Sequence, residues 1–138
     1  MENKESNFSP QSLSELPVGF EFQPTILQLS ELHISKYLEA IDDSIDFVSL
    51  GLVPPLILAA CANTALTKSF TAPPGTIHVS QDFEFLKTVA VGDAVSCRGV
   101  IAQKLERGRL SLIVLEINIL NQNGDKVLSG KATITVPK

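Results

Sequence analysis

A chain of 138 residues, 44% hydrophobic and 19% charged, carries enough apolar material for one packed domain and too much for global disorder. Its net charge of -4, with no basic stripe, argues against a nucleic-acid partner, because nothing is present to displace counterions from a phosphate backbone. Two cysteines, Cys61 and Cys97, sit in apolar runs without CxxC spacing, and two histidines, His33 and His78, lie far apart. Buried reduced thiols are therefore expected, while a histidine-rich metal site is excluded and no cofactor is implied.

Residues 1–16 are polar and read as a flexible N-terminal arm, followed by a single domain over 17–138. The opening Met1-Glu2-Asn3-Lys4 has no apolar stretch of the secretory type. A first strand is expected between Val18 and Leu29, and its interruption at Pro24 suggests an edge position or a bulge. Ser30 is placed to cap a helix over 31–42, whose apolar residues Ile34, Tyr37, Leu38 and Ile41 follow the 3.6-residue period. Asp42, Asp43 and Ser44 end it, and residues 44–53 form a short connection.

Pro54 and Pro55 then open a segment that is apolar on every side. Proline is preorganised for a first helical turn, and the Ala and Leu residues that follow favour helix. The segment predicts a helix over 54–70, and a helix apolar all round is expected to be buried all round. The run from Leu50 to Leu66 contains two prolines and Asn63 and is short for a membrane span, so the chain reads as cytoplasmic.

After a turn at Pro73-Pro74-Gly75, four strands are predicted. In the first, Ile77, Val79, Phe83 and Phe85 alternate with His78, Ser80, Asp82 and Glu84, Gln81 being the exception on the apolar side. Val91-Gly92-Asp93 is a turn; a strand over 94–105 runs to a tip at Arg107-Gly108. Leu110–Leu120 returns, and its first half is apolar on both faces apart from Ser111, the pattern of a central strand. Asn123-Gly124 marks a hairpin turn, and a strand from Val127 to Val136 carries Ala132, Ile134 and Val136 on one face.

The order of strand, helix, long apolar helix and four antiparallel strands resembles the hotdog fold: α+β, a sheet of about five strands wrapped around one long central helix. Within it the chain resembles the MaoC-like acyl-thioester hydratases and dehydratases, and above all their half-domains that lack the Asp/His hydratase motif. The matching pieces are Val53-Pro54-Pro55-Leu56, the stretch from His78 to Phe85, Val91-Gly92-Asp93, and the turn from Asn121 to Val127. The resemblance implies paired domains whose sheets join, as a homodimer or as a heterodimer with a second hotdog subunit. It also implies an acyl-CoA or acyl carrier protein thioester lying at the pair's interface near the start of the central helix. In active members an Asp and a His in the loop before that helix move the proton and the water, and a backbone N–H at the helix start polarises the thioester carbonyl.

Here the loop Asp42-Asp43-Ser44-Ile45-Asp46-Phe47 holds three aspartates and no histidine, and Pro54-Pro55 replaces the expected His-Gly pair. Proline has no N–H, so the amides of Leu56 or Ile57 are the substitutes on offer. The candidates are therefore few. His78 is a base or substrate contact, or else a half-exposed sheet residue. Asp42, Asp43 and Asp46 are a general base among them, or else a cap-and-turn cluster. Pro55, Leu56, Ile57 and Asn63 are contacts near the acyl group; Asn63, buried in an apolar helix, needs hydrogen-bond partners and holds either a thioester carbonyl or a neighbouring strand. Lys104, Arg107 and Arg109 form the one cationic group for CoA phosphates, or a solvated tip. His33 and Tyr37 are read as packing residues.

Three functions remain open: reversible hydration of a 2-enoyl thioester, an acyl-binding subunit whose partner supplies Asp and His, and a hotdog thioesterase. The last needs a carboxylate on or near the central helix, and none occurs from Leu56 to Phe70. A DNA-binding ligand sensor would need an added basic helix-turn-helix segment, and the sequence has none.

Overall fold

The computed structural model describes residues 11–41 and 51–138. In chain order it contains β1 (Gln11–Ser12), a single 3-10 turn (Leu13–Glu15), β2 (Thr25–Gln28), α1 (Glu31–Ile41), α2 (Pro55–Thr67), β3 (Phe70–Thr71), β4 (Ile77–Phe85), β5 (Ala94–Arg107), β6 (Leu110–Leu120) and β7 (Lys126–Pro137). Five strands form one sheet in the order β2-β5-β6-β7-β4, every neighbouring pair antiparallel.

The central position of β6 follows from its composition. Ile113, Leu115, Ile117 and Ile119 alternate inward and are completely buried, while the other face is only half covered. Two hairpins bring its neighbours alongside. At the β6–β7 turn Gly124 takes a φ of 83°, and the Asn121 side-chain oxygen accepts from the amides of Asn123 and Asp125, both at 3.0 Å. The first strand is the short edge strand β2, and Pro24 immediately before it leaves only a single bridge, Glu21 to Val100, upstream.

Ser30 caps α1 as its position predicts: its hydroxyl accepts from the His33 amide at 3.2 Å. Helix α2 lies against the inward face of the sheet and buries Ile57, Leu58, Ala59, Cys61, Ala62, Ala65 and Leu66. It is not buried all round. Leu56 is 73% exposed, Thr64 and Thr67 are exposed, and Ala60 and Asn63 are half-buried, so helical spacing collects these residues into one open stripe. A sheet that packs against one side of a helix need not close over the other. The helix also stops at Thr67, short of the expected residue 70, because Phe70–Thr71 turns into strand β3 and pairs, parallel, with Gln11–Ser12.

That pairing corrects the expectation of a loose arm through residue 16. Leu13 and Leu16 belong to the core, and the Lys104 ammonium donates to the Ser14 and Leu16 carbonyls at 2.7 and 3.1 Å. Hydrogen bonds from a charged donor contribute more than neutral ones. Lys104→Ala is expected to lower unfolding free energy by about 2 kcal/mol. Amide exchange should rise first at residues 13–16, and unchanged exchange there would show that apolar packing alone holds the segment.

Strand β4 is the second edge of the sheet. It is nine residues long, and only Gln81 and Phe83 are even half-buried. A register shift between His78 and Ser80 inserts Val79 as an extra residue. This bulge reverses the expected facing of His78. It pairs with Ile134, and Gln81, Phe83 and Phe85 pair with Ala132, Gly130 and Leu128, so all four share the face turned toward α2; Ser80, Asp82 and Glu84 occupy the outer face.

A candidate acyl-binding cavity at the start of the central helix

The segment entering α2 is clamped to the loop that leaves β4. Leu52 bridges Ala90, the Val53 amide donates to the Val89 carbonyl at 2.8 Å, and the Val91 amide donates to Gly51 at 2.9 Å. Between clamp, helix and strand end lies a cavity of about 280 Å³ lined by Leu52, Val53, Pro55, Leu58, Phe85, Leu86, Lys87, Thr88 and Val89. Phe85 and Leu86 stand partly exposed, at 43% and 44%, whereas Val53, Leu58 and Val89 are buried. The lining is almost wholly apolar, which suits a hydrocarbon chain. Its one ionised side chain among the described residues, Lys87, is drawn outward by Asp125 at 3.2 Å in an exposed pair.

The two prolines shape the polar end of this site. Pro55 begins α2 without an N–H, and the Ile57 amide is already bonded to the Pro54 carbonyl at 3.0 Å. Of the two amides that the sequence offered, only that of Leu56 is left without a hydrogen bond among the described residues. An orphan donor in a first helical turn is a ready partner for a developing oxyanion.

The other candidates fall elsewhere. Asp42, Asp43 and Asp46 lie outside the described residues. Asn63 sits more than a turn beyond Leu58, half-buried, on the open stripe of α2, and does not line the cavity. His78 borders a different hollow, with Thr67, Phe70, Pro74, Thr76 and Ile134, at the far end of α2. Seven residues of β4 separate it from Phe85, about 23 Å at the usual strand rise. Arg107 and Arg109 are also remote. Their hairpin tip shares a row with Pro137, whereas Phe85 shares one with Leu128 and Ile119, about 30 Å along β6. Lys104 is occupied in holding Ser14 and Leu16. Within one chain, then, neither His78 nor this cationic group reaches the cavity. His33 packs toward α2, its Nε2 4.0 Å from the Cys61 sulfur.

Sequence reasoning placed Pro55 and the helix start at the site but missed Leu58 and the wall formed by Phe85, Leu86, Lys87 and Val89. Alternation put Phe85 on the apolar face of its strand. Nothing local shows that residues 85–89 meet residues 52–58, because the contact joins segments about thirty residues apart.

No protein-family model matches the sequence, and neither does any curated protein. Solved structures do. The R-hydratase PhaJ1 from Pseudomonas aeruginosa in its unliganded form superposes with a TM-score of 0.76 at 20% identity, covering 91% of this chain and 84% of that one. The (R)-hydratase from A. caviae involved in PHA biosynthesis gives 0.73 at 20%, covering 89% and 98%. The ChsH1-ChsH2 complex from Mycobacterium tuberculosis gives 0.71 at 18%, covering 87% and 98%. The fold is the hotdog fold, and its structural neighbours are MaoC-like proteins, (R)-hydratases and dehydratase subunits.

Proposed function

We propose that the cavity at the start of α2 takes the acyl end of a 2-enoyl or 3-hydroxyacyl thioester, carried on CoA or acyl carrier protein, and that the chain works as a hotdog hydratase or dehydratase subunit. The carrying observation is the apolar cavity abutting the first turn of α2, with the Leu56 amide unbonded among the described residues. Hydration adds hydroxide character at C3 and a proton at C2 across the double bond. Negative charge gathers on the thioester oxygen in between, and a fixed N–H there lowers the barrier. The apolar walls hold the chain in register with that donor and exclude competing water. A base must take the proton of the attacking water. Asp42, Asp43 and Asp46 are the carboxylates nearest in sequence to the cavity-lining Leu52.

A non-catalytic role beside a complete hotdog subunit is the second reading. It is favoured by the cavity lining among the described residues, which holds neither histidine nor carboxylate. The same lining disfavours a thioesterase. Buried cysteines at 61 and 97 that form no disulfide with each other fit a reducing, cytoplasmic place in acyl-chain metabolism.

The test is hydration of crotonyl-CoA, followed by loss of enoyl absorbance, with Leu58→Trp beside the wild type. Leu58 is 2% exposed, and the larger ring fills the cavity. A fall in kcat/KM of about hundredfold is expected, as for a misplaced substrate. Binding of crotonyl-CoA without turnover, abolished by Leu58→Trp, would select the partner-subunit reading. Neither binding nor turnover by the wild type would overturn the assignment.

A further inference from the structure

We infer that the face of the sheet turned away from α2 carries a second ligand site, a hollow beside Arg98 and Lys126 that binds a nucleoside phosphate. The site itself is independent of the acyl-thioester reading. Only its link to a CoA, drawn below, rests on that reading.

The hollow opens at Pro24. Thr25 pairs with Cys97 and Glu21 bridges Val100, so residues 22–24 stand opposite residues 98 and 99 alone. Pro24 has no N–H to donate to β5. One residue too many makes a bulge, and the edge bows away from its neighbour there. The result is a cavity of about 250 Å³ walled by Pro24, Val100 and Leu120. Its polar side chains are Glu21, Arg98, Asn118 and Lys126. Strand pairing gathers them: Asn118 lies directly across from Arg98, and Lys126 directly across from Leu120, the next outward residue of β6.

The chain as a whole has a net charge of -4, yet this hollow holds two uncompensated cations. Arg98 and Lys126 make no ion pair and no side-chain hydrogen bond among the described residues, although Glu21 lines the same hollow. Lys87 and Lys138, by contrast, each hold a carboxylate. A planar guanidinium beside an ammonium suits the several oxygens of a phosphate. The other half of the lining selects what the phosphate is attached to. Pro24, Val100 and Leu120 offer an apolar wall for the face of a ring. The Asn118 amide both donates and accepts, and the Glu21 carboxylate accepts, as the hydroxyls and amino group of a nucleoside require. Pockets for drug-sized ligands span about 300–1,000 Å³. The smaller volume here suits one nucleoside, with its phosphates lying out over the exposed Arg98 and Lys126.

Ser96 is an independent pointer. It is the outward residue of β5 next to Arg98 and lies across from Leu120, and its hydroxyl is buried without a partner. Buried polar groups are normally bonded, and a ligand oxygen lying along Leu120 supplies that bond.

The hollow is at the same end of the sheet as the acyl cavity. Arg98 and Asn118 are one residue along from the row Cys97, Ile119, Leu128, Phe85, and Phe85 lines that cavity on the other face. Strands β5 and β4 are three spacings apart, about 14 Å. The nucleotide is therefore either free or the adenosine end of a CoA whose acyl chain occupies the cavity.

The probes are ADP and adenosine 3′,5′-bisphosphate, titrated calorimetrically into the wild type at low salt. Both are expected to bind. Arg98→Ala should weaken them about tenfold, as loss of a charge-assisted hydrogen bond does, and a further Lys126→Ala should weaken them again. Lys131→Ala, on the same face but outside the hollow, should leave binding unchanged. No binding of either nucleotide, binding indifferent to Arg98→Ala, or inorganic phosphate bound as tightly as ADP overturns the site. Crotonyl-CoA hydration then separates the two sources. If the nucleotide belongs to CoA, ADP competes with crotonyl-CoA. Arg98→Ala then raises KM about tenfold more for crotonyl-CoA than for the N-acetylcysteamine thioester of crotonate, which has no nucleotide. If the nucleotide is free, ADP binds without competing. A wild type that neither binds nor hydrates crotonyl-CoA removes the acyl-thioester reading, and the ADP titrations still decide the hollow.

Discussion

Gly130→Ala is expected to lower the unfolding free energy by about 3 kcal/mol, at the upper end of overpacking effects. A Cβ at this position would lie 2.5 Å from the Asp82 carbonyl oxygen and 2.7 Å from Cδ1 of the Phe83 ring. The first of these atoms is backbone, so it cannot swing aside as a side chain would. Relief requires β4 to move away from β7 at the very pair, Phe83 with Gly130, that fixes their register. Phe83 lies across the glycine and packs against the core from the edge strand, with Phe85 6.3 Å away, centroid to centroid. The loss should appear as a lower urea midpoint with an unchanged slope. Exchange should accelerate in β4 before β5 or β6. A midpoint shift of less than about 0.5 kcal/mol equivalent would mean that the edge strand tolerates displacement, as surface positions do.

Raising the pH from 8 to 11 is expected to remove about 2 kcal/mol of stability through Cys97 alone. Burial, with the neighbouring Cys61 adding to it, pushes the Cys97 thiol up to about 11. In the unfolded chain a thiol titrates near its ordinary value of 9.0. Between those values the unfolded chain has released a proton that the folded chain keeps, so the unfolded state gains on the folded one as pH rises. The stability is fully present below the ordinary thiol pKa and is lost as pH climbs toward 11. At about 1.4 kcal/mol per unit the shift gives the stated size, to order of magnitude. Denaturant midpoints across this range should show the decline, and Cys97→Ala, though less stable at pH 8, should flatten it. A slope unchanged by that substitution would place the alkaline loss in other groups.

How much of this was legible in advance depended on the range of the interaction involved. The strand Leu110–Leu120, its place at the centre of the sheet, the turn at Asn123-Gly124 and the cap at Ser30 could all be read from neighbouring residues, because alternation, turn chemistry and capping act within a few positions. The end of α2 at Thr67 could not. Phe70–Thr71 is a strand only because Gln11–Ser12 lies beside it. The open stripe of α2 was invisible for a similar reason: composition states that a face is apolar, not whether another element covers it. The facing of His78 turned on one inserted residue, Val79, and a bulge leaves no clear mark in a strand whose polar and apolar residues alternate on either side of it.

The candidate site divides along the same line. The sequence by itself determined that a buried helix begins at Pro54-Pro55, that its start lacks the usual donor, that the loop before it has aspartates but no histidine, and that the order of elements is that of a hotdog fold. Only the tertiary structure decided that residues 52–58 and 85–89 enclose a cavity, that the Leu56 amide is the donor left over among the described residues, and that His78, Arg107 and Arg109 stand at the other end of the sheet. Local patterns record what each segment prefers. Which segments meet is set by burial summed over the whole chain, and no single stretch carries that sum.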